Sequence, residues 1–253
     1  MANLRLVAPN GTTYNFPQDF WLDDMSYHTT QSVKNVAFSP GGRDVADGYL
    51  EARNIVIVGA LRADTLAGME TLERAFHKAM LRGGQLYVSD DVVMRFISVK
   101  SPQVNFSYIG DYRYEKPVTV SFVAEYPFWE DDTLTESAHV LTGDDEFTVD
   151  NSSSDSLVFP IITIEADQLA DIPAAKLINK SDGAMTFEYN DPNFVQGDVL
   201  VINCREGTVK RNNNNTISYF NPARFLRLQD VINTIAYEGN ACTITISFRK
   251  VYL

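Results

Sequence analysis

The stretch Pro117-Val118-Thr119-Val120-Ser121-Phe122-Val123-Ala124-Glu125-Tyr126-Pro127-Phe128-Trp129-Glu130 decides the fold class. Val118, Val120, Phe122, Ala124 and Tyr126 fall on one side, and Thr119, Ser121, Val123 and Glu125 on the other. A period of two is that of a β-strand with one buried face. Pro127 lacks a ladder donor and holds Tyr126 extended, so the strand stops there. Phe128 and Trp129 follow, and then the acidic run Glu130-Asp131-Asp132. An aromatic pair closing a core strand, with charge behind it, reads as the last anchored point of a first domain. The expected division is a first domain over residues 1–130, a linker over 131–139 and a second domain over 140–253.

Upstream of this strand, residues 64–81 form the one convincing helix, extending to about residue 82. Leu66, Met69, Leu72, Phe76, Ala79 and Met80 recur at steps of three and four and make one apolar stripe. Glu70, Glu73, Arg74, His77 and Lys78 take the opposite side. Asp64 or Thr65 caps the first turn, and Gly83-Gly84 stop the last. The rest of the first domain reads as strands. Residues 4–6 and 12–16 flank the turn Pro9-Asn10-Gly11. Residues 33–39, 50–61, 85–89, 92–100 and 104–109 are further strands, with Asp90-Asp91 as a turn and residues 19–30 as a loop. The expected first domain is a β-barrel-like or sandwich fold with one helix.

Beyond residue 140 the texture changes to short strands, polar turns and no helix. Ser181-Asp182-Gly183 and Arg205-Glu206 sit between strand pairs, and Cys242, Ile244, Ile246 and Phe248 alternate with Thr243, Thr245, Ser247 and Arg249. This pattern is that of an antiparallel β-sandwich. A chain of 253 residues accommodates two domains of ordinary size. The 15 Phe and 12 Tyr favour sheet over helix. A net charge of −12 without clustered Lys or Arg speaks against direct nucleic-acid binding. No apolar run reaches the ~20 residues of a membrane helix, and the N-terminus has no signal core. Cys204 and Cys242 are too few for a disulfide framework; a pair between them stays open, beside the plainer expectation of two buried thiols in a protein made in a reducing cytoplasm.

Catalytic and metal-binding patterns are missing. The histidines at 28, 77 and 139 have no metal-ligand spacing, and there is no Cys-x-x-Cys pair. Asp23-Asp24, Asp131-Asp132 and Asp144-Asp145 lack the alternating oxygen loop of a calcium site. No Gly-x-Ser-x-Gly elbow and no phosphate-cradling glycine loop occur. The expectation is therefore no catalytic, cofactor-binding or metal-binding residues, no cofactor and no enzyme activity.

Ala124-Glu125-Tyr126-Pro127-Phe128-Trp129 resembles the ending of the first domain in the distal tail protein family of long-tailed, siphovirus-type bacteriophages, with Tyr126 where that family often has an acid. Asn151 and Phe159-Pro160-Ile161-Ile162-Thr163-Ile164 are similar to its next motif. Gly197-Asp198-Val199-Leu200-Val201-Ile202-Asn203 is similar to the one after, and Ile246 to Leu253 to its close. Ser154-Asp155 and Gln229-Asp230 depart from the glycine and Pro-Gly expected there. The resemblance implies a virion structural protein of the tail tip, or baseplate, made in the host cytoplasm. Its first domain would close six copies into a ring joining the tail tube, the tape-measure protein and the tail-tip hub. Its second, lectin-like domain would project toward receptor-binding proteins and host adsorption. The alternative is a carbohydrate-binding β-sandwich protein acting in host-cell adhesion, with Tyr189, Phe194, Tyr219 and Phe220 as the candidate ring-stacking residues.

Overall fold

The computed structural model describes residues 3–24, 52–89, 94–107, 114–166, 174–221 and 225–252. The expected strand at 33–39, the turn Asp90-Asp91 and His28 lie outside them. The chain is mainly β, with one α-helix, and separates into two compact units, Met1–Trp129 and Glu130–Leu253.

In the first unit, β1 (Asn3–Val7) and β2 (Thr13–Asn15) form the expected hairpin, with Leu6 opposite Tyr14. Gly11 turns the chain at φ +81°, a conformation that costs glycine little. The 19–30 stretch, read as a loop, contains β3 (Trp21–Asp24), because Trp21 and Leu22 find backbone partners in Val58 and Ile57. Further along come β4 (Arg53–Arg62), α1 (Leu66–Met80), β5 (Gly84–Ser89), β6 (Met94–Val99), β7 (Gln103–Phe106) and β8 (Glu115–Ala124). Strands β2-β1-β5-β6 lie side by side, and β3-β4-β8-β7 make a four-stranded antiparallel sheet.

Its centre is an unbroken ladder from Arg53 opposite Ala124 to Arg62 opposite Glu115. Ile55, Ile57, Leu61, Val118, Val120 and Phe122 point inward and are buried, which is the alternation of the opening stretch made physical. Gly59 belongs to this inner row, and a Cβ there would lie 2.4 Å from the Phe20 ring. The glycine is what lets Phe20 settle on β4. Beyond β8, Phe128 and Trp129 are buried. The buried Arg53 donates from Nη1 to the Pro127 carbonyl at 3.1 Å and lies over the Trp129 ring.

Helix α1 begins at Thr65, whose hydroxyl accepts from the Gly68 N–H at 3.1 Å. Met69, Phe76 and Met80 are buried, as the stripe predicts, but Leu66 is exposed in the first turn. Phe76 is surrounded by the rings of Tyr14, Phe16, Phe20 and Phe106, with centroids 5.6–6.3 Å away. Glu73, assigned by its spacing to the wet side, instead pairs with Lys116 of β8.

The second unit is an antiparallel sandwich. Its strands are β9 (Trp129–Asp131, starting at the boundary), β10 (Thr135–Leu141), β11 (Asp145–Asp150), β12 (Ile161–Ala166), β13 (Ala174–Asn179), β14 (Met185–Asn190), β15 (Val199–Asn203), β16 (Thr208–Arg211), β17 (Asn214–Asn215), β18 (Ile232–Gly239), β19 (Cys242–Phe248) and β20 (Val251–Tyr252). One sheet has the order β10-β19-β12-β15-β16-β17 and the other β11-β18-β13-β14. Both predicted hairpins are present, β13–β14 and β15–β16. Residues 131–139, expected as a linker, instead carry β10, which pairs with β19 from Thr135 opposite Phe248 to Leu141 opposite Cys242. The backbone needs of β19 outrank the polar character of that stretch. Strand β18 also escaped the pattern, because a buried Asn233 interrupts its apolar row.

That asparagine belongs to a polar network inside an otherwise apolar core. Asn233 Oδ1 accepts from Asn179 Nδ2 at 3.0 Å and from the Gln229 N–H at 2.8 Å, while its Nδ2 donates to the Gln229 and Val231 carbonyls. Asn179 Nδ2 also donates to the Arg227 carbonyl, and Asn151 Nδ2 to that of Gln229. Arg227 grips Asp182 through Nε and Nη2 at 2.7 and 3.2 Å. The chain from 227 to 231, which has little regular structure, takes its hydrogen bonds from these side chains instead of from a ladder.

Cys204 and Cys242 are buried thiols. Cys242 lies opposite Ala166 at one end of β12, and Cys204 follows Asn203, opposite Ile161 at the other. Five residues of strand separate the two ends by about 17 Å, far beyond disulfide reach.

Two substitutions check these cores. Phe76→Ala should cost about 3–5 kcal/mol in urea unfolding, as for an emptied aromatic site. The exposed His77→Ala should change little; the reverse ranking would invert the helix face. Asn233→Ala should cost roughly 2–5 kcal/mol, at about 1–3 kcal/mol for each group left unpaired. A neutral result would mean that the network does not hold the 227–231 connection.

Candidate assembly surface

No group of three or more His, Cys, Asp or Glu able to hold a metal occurs among the described residues. The three histidines do not converge. His77 is exposed on α1, its ring 5.0 Å from Phe106. His139 lies on β10, where Nε2 meets the Ser137 hydroxyl at 2.7 Å and the ring stacks on Phe147 at 4.1 Å. The Ser–His contact has the distance of a nucleophile and base. The ring is held by an aromatic face, however, and among the described residues no carboxylate bonds to it.

Of the aromatics expected for sugar stacking, Tyr189, Phe194 and Phe220 are core residues. Tyr189 donates its hydroxyl to the buried Asp191 at 2.9 Å, and burial raises its pKa to about 12. Tyr219 alone of the four is exposed, at 36%. Asp131 and Asp144 are absorbed by turns, accepting from the Thr133 and Gly239 N–H groups.

What the first unit does present is a sheet face. The side chains of β4 and β8 that alternate with the core row are Val56, Val58 and Ala60 against Ser121, Thr119 and Pro117. Asn105 and Gln103 of β7 extend this face on one side, and Trp21 of β3, 53% exposed, extends it on the other. Charge enters at the margins, where Arg62 bridges Asp19 and Glu115 and where Asp24 of β3 is in register with Val56. In a chain of net charge −12 an uncharged face of this width is unusual. Sequence reasoning found its strands but not the face, because Thr, Ser and Val in alternation look the same whether they meet water or another protein.

Residues 153–252 match the family described as siphovirus-type tail component, C-terminal domain. The match covers most of the second unit. The resemblance to distal tail proteins read from the sequence is borne out, and the protein is a component of a phage tail. The whole chain also superposes on the crystal structure of the Dit protein of phage SPP1, described there as a paradigm of the hub adsorption apparatus in phages infecting Gram-positive hosts. The TM-score is 0.69 at 12% identity, with 100% of each chain covered. Baseplate structures of phage p2 in the activated conformation, with strontium or with calcium, align over 98% of each chain at 10% identity and a TM-score of 0.44. No curated protein sequence matches. At these identities the solved structures speak to the fold of this tail component, and its chemistry rests on its own residues.

Desolvation holds the His139 imidazole below its ordinary pKa of 6.5, so the folded protein favours the neutral ring. The stability this contributes is complete above the ordinary value and is lost as pH falls through the lowered one. His139→Gln should therefore flatten the fall in stability between pH 7 and 5, as followed by thermal unfolding. An unchanged slope would assign the fall to other groups.

Proposed function

We propose that this tail component is the ring protein of the tail tip. Six copies close through their first domains, over residues 1–130, and the ring joins the tail tube and tape-measure protein to the tail-tip hub. The second domain, expected over residues 140–253 and including β10 in the folded unit Glu130–Leu253, carries receptor-binding proteins and serves host adsorption. The observation that supports this most is the four-stranded sheet β3-β4-β8-β7, with an uncharged face between two different end strands.

Six chains at −12 each bring a formal charge of about −72 together, repelling over a screening length of roughly 8 Å in physiological salt. Contacts that run through surface without charge add nothing to this repulsion. The end strands β3 and β7 differ in sequence and lie on opposite sides of the sheet. Pairing β7 of one copy with β3 of the next is therefore head-to-tail, the kind of contact that closes a ring. In this reading the protein works by geometry and catalyses no reaction.

The carbohydrate-binding alternative loses its support with the burial of Tyr189, Phe194 and Phe220, three of the four aromatics it needs.

The test is cross-linking in assembled tails. Trp21→Cys combined with Asn105→Cys should give, on mild oxidation, a ladder of covalent oligomers ending at six chains, about 170 kDa for a subunit of 28.4 kDa. Either single variant should give none. A ladder ending at another number would refute the hexamer, and tails of normal composition without a ladder would refute pairing of these edges.

A further inference from the structure

The end strands of a sheet carry unpaired backbone groups, and proteins shield them by shortness, bulges, charge or cover. Among the described end strands most are either shielded or already assigned to the contact between copies. Strands β2 and β17 have three and two residues. Strands β3 and β7, of four residues each, are the edges assigned above to the contact between copies. In the second unit, β14 is covered where Asn221 donates to the Glu188 carbonyl and Phe220 bridges Tyr189. Strand β11 carries Asp145, Glu146 and Asp150.

Strand β10 is different. It has seven residues in unbroken register with β19, contains no Pro, Gly, Lys or Arg, and ends its sheet. Its outward row is Glu136, Ala138 and Val140, the last 74% exposed. Its neighbours on the same face are Ser247, Thr245 and Thr243 of β19. This is a regular end strand with a small apolar and hydroxyl-bearing border, the form that accepts an added strand.

Charge decides between occupants. Asp131 and Asp132 precede the strand, with Glu136 inside it, against Arg249, which donates to the carbonyls of Asp131 and Asp132. Asp144, Asp145 and Glu146 follow it, against Lys180, which pairs with Glu146. Both ends are therefore net acidic. A second copy paired antiparallel about Ala138 would set Asp132 against Asp144 at each end, and like charges placed opposite each other destabilise a ladder.

We propose that β10 is a docking edge for an extended segment of a different protein, added as a further strand and carrying a basic residue near each end. This site lies outside the ring contacts and stands whether or not six copies close.

The probe is a nine-residue peptide of alternating Thr and Val with Lys at each end, titrated against the full chain by fluorescence anisotropy. Hydrogen exchange of residues 135–141 is read in parallel. The Lys-ended peptide should bind at least tenfold tighter than its Glu-ended counterpart and slow exchange across 135–141 at least tenfold. N-methylation at alternate peptide amides should abolish binding. Val140→Lys with Ala138→Lys should weaken binding at least tenfold with the melting temperature unchanged. If that pair disturbs folding, Glu136→Lys alone should still shrink the preference for Lys-ended peptide. Binding without protection of 135–141, equal binding of the two peptides, or survival of binding after N-methylation would overturn the proposal. So would self-association of the wild-type chain that Val140→Lys abolishes, since the occupant would then be a second copy.

Discussion

The ladder between β4 and β8 is the constraint on which the first unit depends. Its register, Arg53 opposite Ala124 through Arg62 opposite Glu115, decides for both strands which side chains enter the core. A slip of β8 by one residue would drive Thr119 and Ser121 inward and put Val120 and Phe122 in water. The same choice creates the two surfaces that matter, an apolar floor beneath α1 and an uncharged outer face. Phe76 and its ring neighbours lock the helix to the floor. Arg53, holding the Pro127 carbonyl, fixes where the ladder ends.

The second unit solves a different problem. Its two sheets close over Ile162, Ile164, Ile244 and Ile246 on one side and Leu177, Phe187 and Tyr237 on the other, all buried. The chain must return across this core between 225 and 231 without a strand partner along most of that length. Asn151, Asn179 and Asn233, all fully buried, take over the hydrogen bonding that a ladder would supply. Buried amides with every partner in place specify one path for the connection, whereas an apolar substitute would leave the backbone without partners.

These two devices explain what could be read from the sequence and what could not. Strands with clean alternation, such as residues 118–124 and 242–248, and the striped helix were legible because local pattern and tertiary burial agree there. Strand β18 was hidden by Asn233, a polar residue facing inward for reasons set by residues far away in sequence. Strand β10 was hidden because its inward row, Thr135, Ser137 and His139, is polar while the exposed Val140 is apolar. Glu73 looked like a surface acid because Lys116, its partner, is distant in sequence. The outer face of β4 and β8 had no signature of its own. Its meaning comes from the acidity of everything else.

The spacing of the two thiols has a bearing on how such a particle endures. Burial pushes the Cys204 thiol up to about 12, so almost none of it is in the reactive anionic form near neutrality. With Cys242 at the far end of the same sheet, no internal bridge can form even in oxidising surroundings. A tail part built this way needs no disulfide to complete its fold and has none to lose to a reductant.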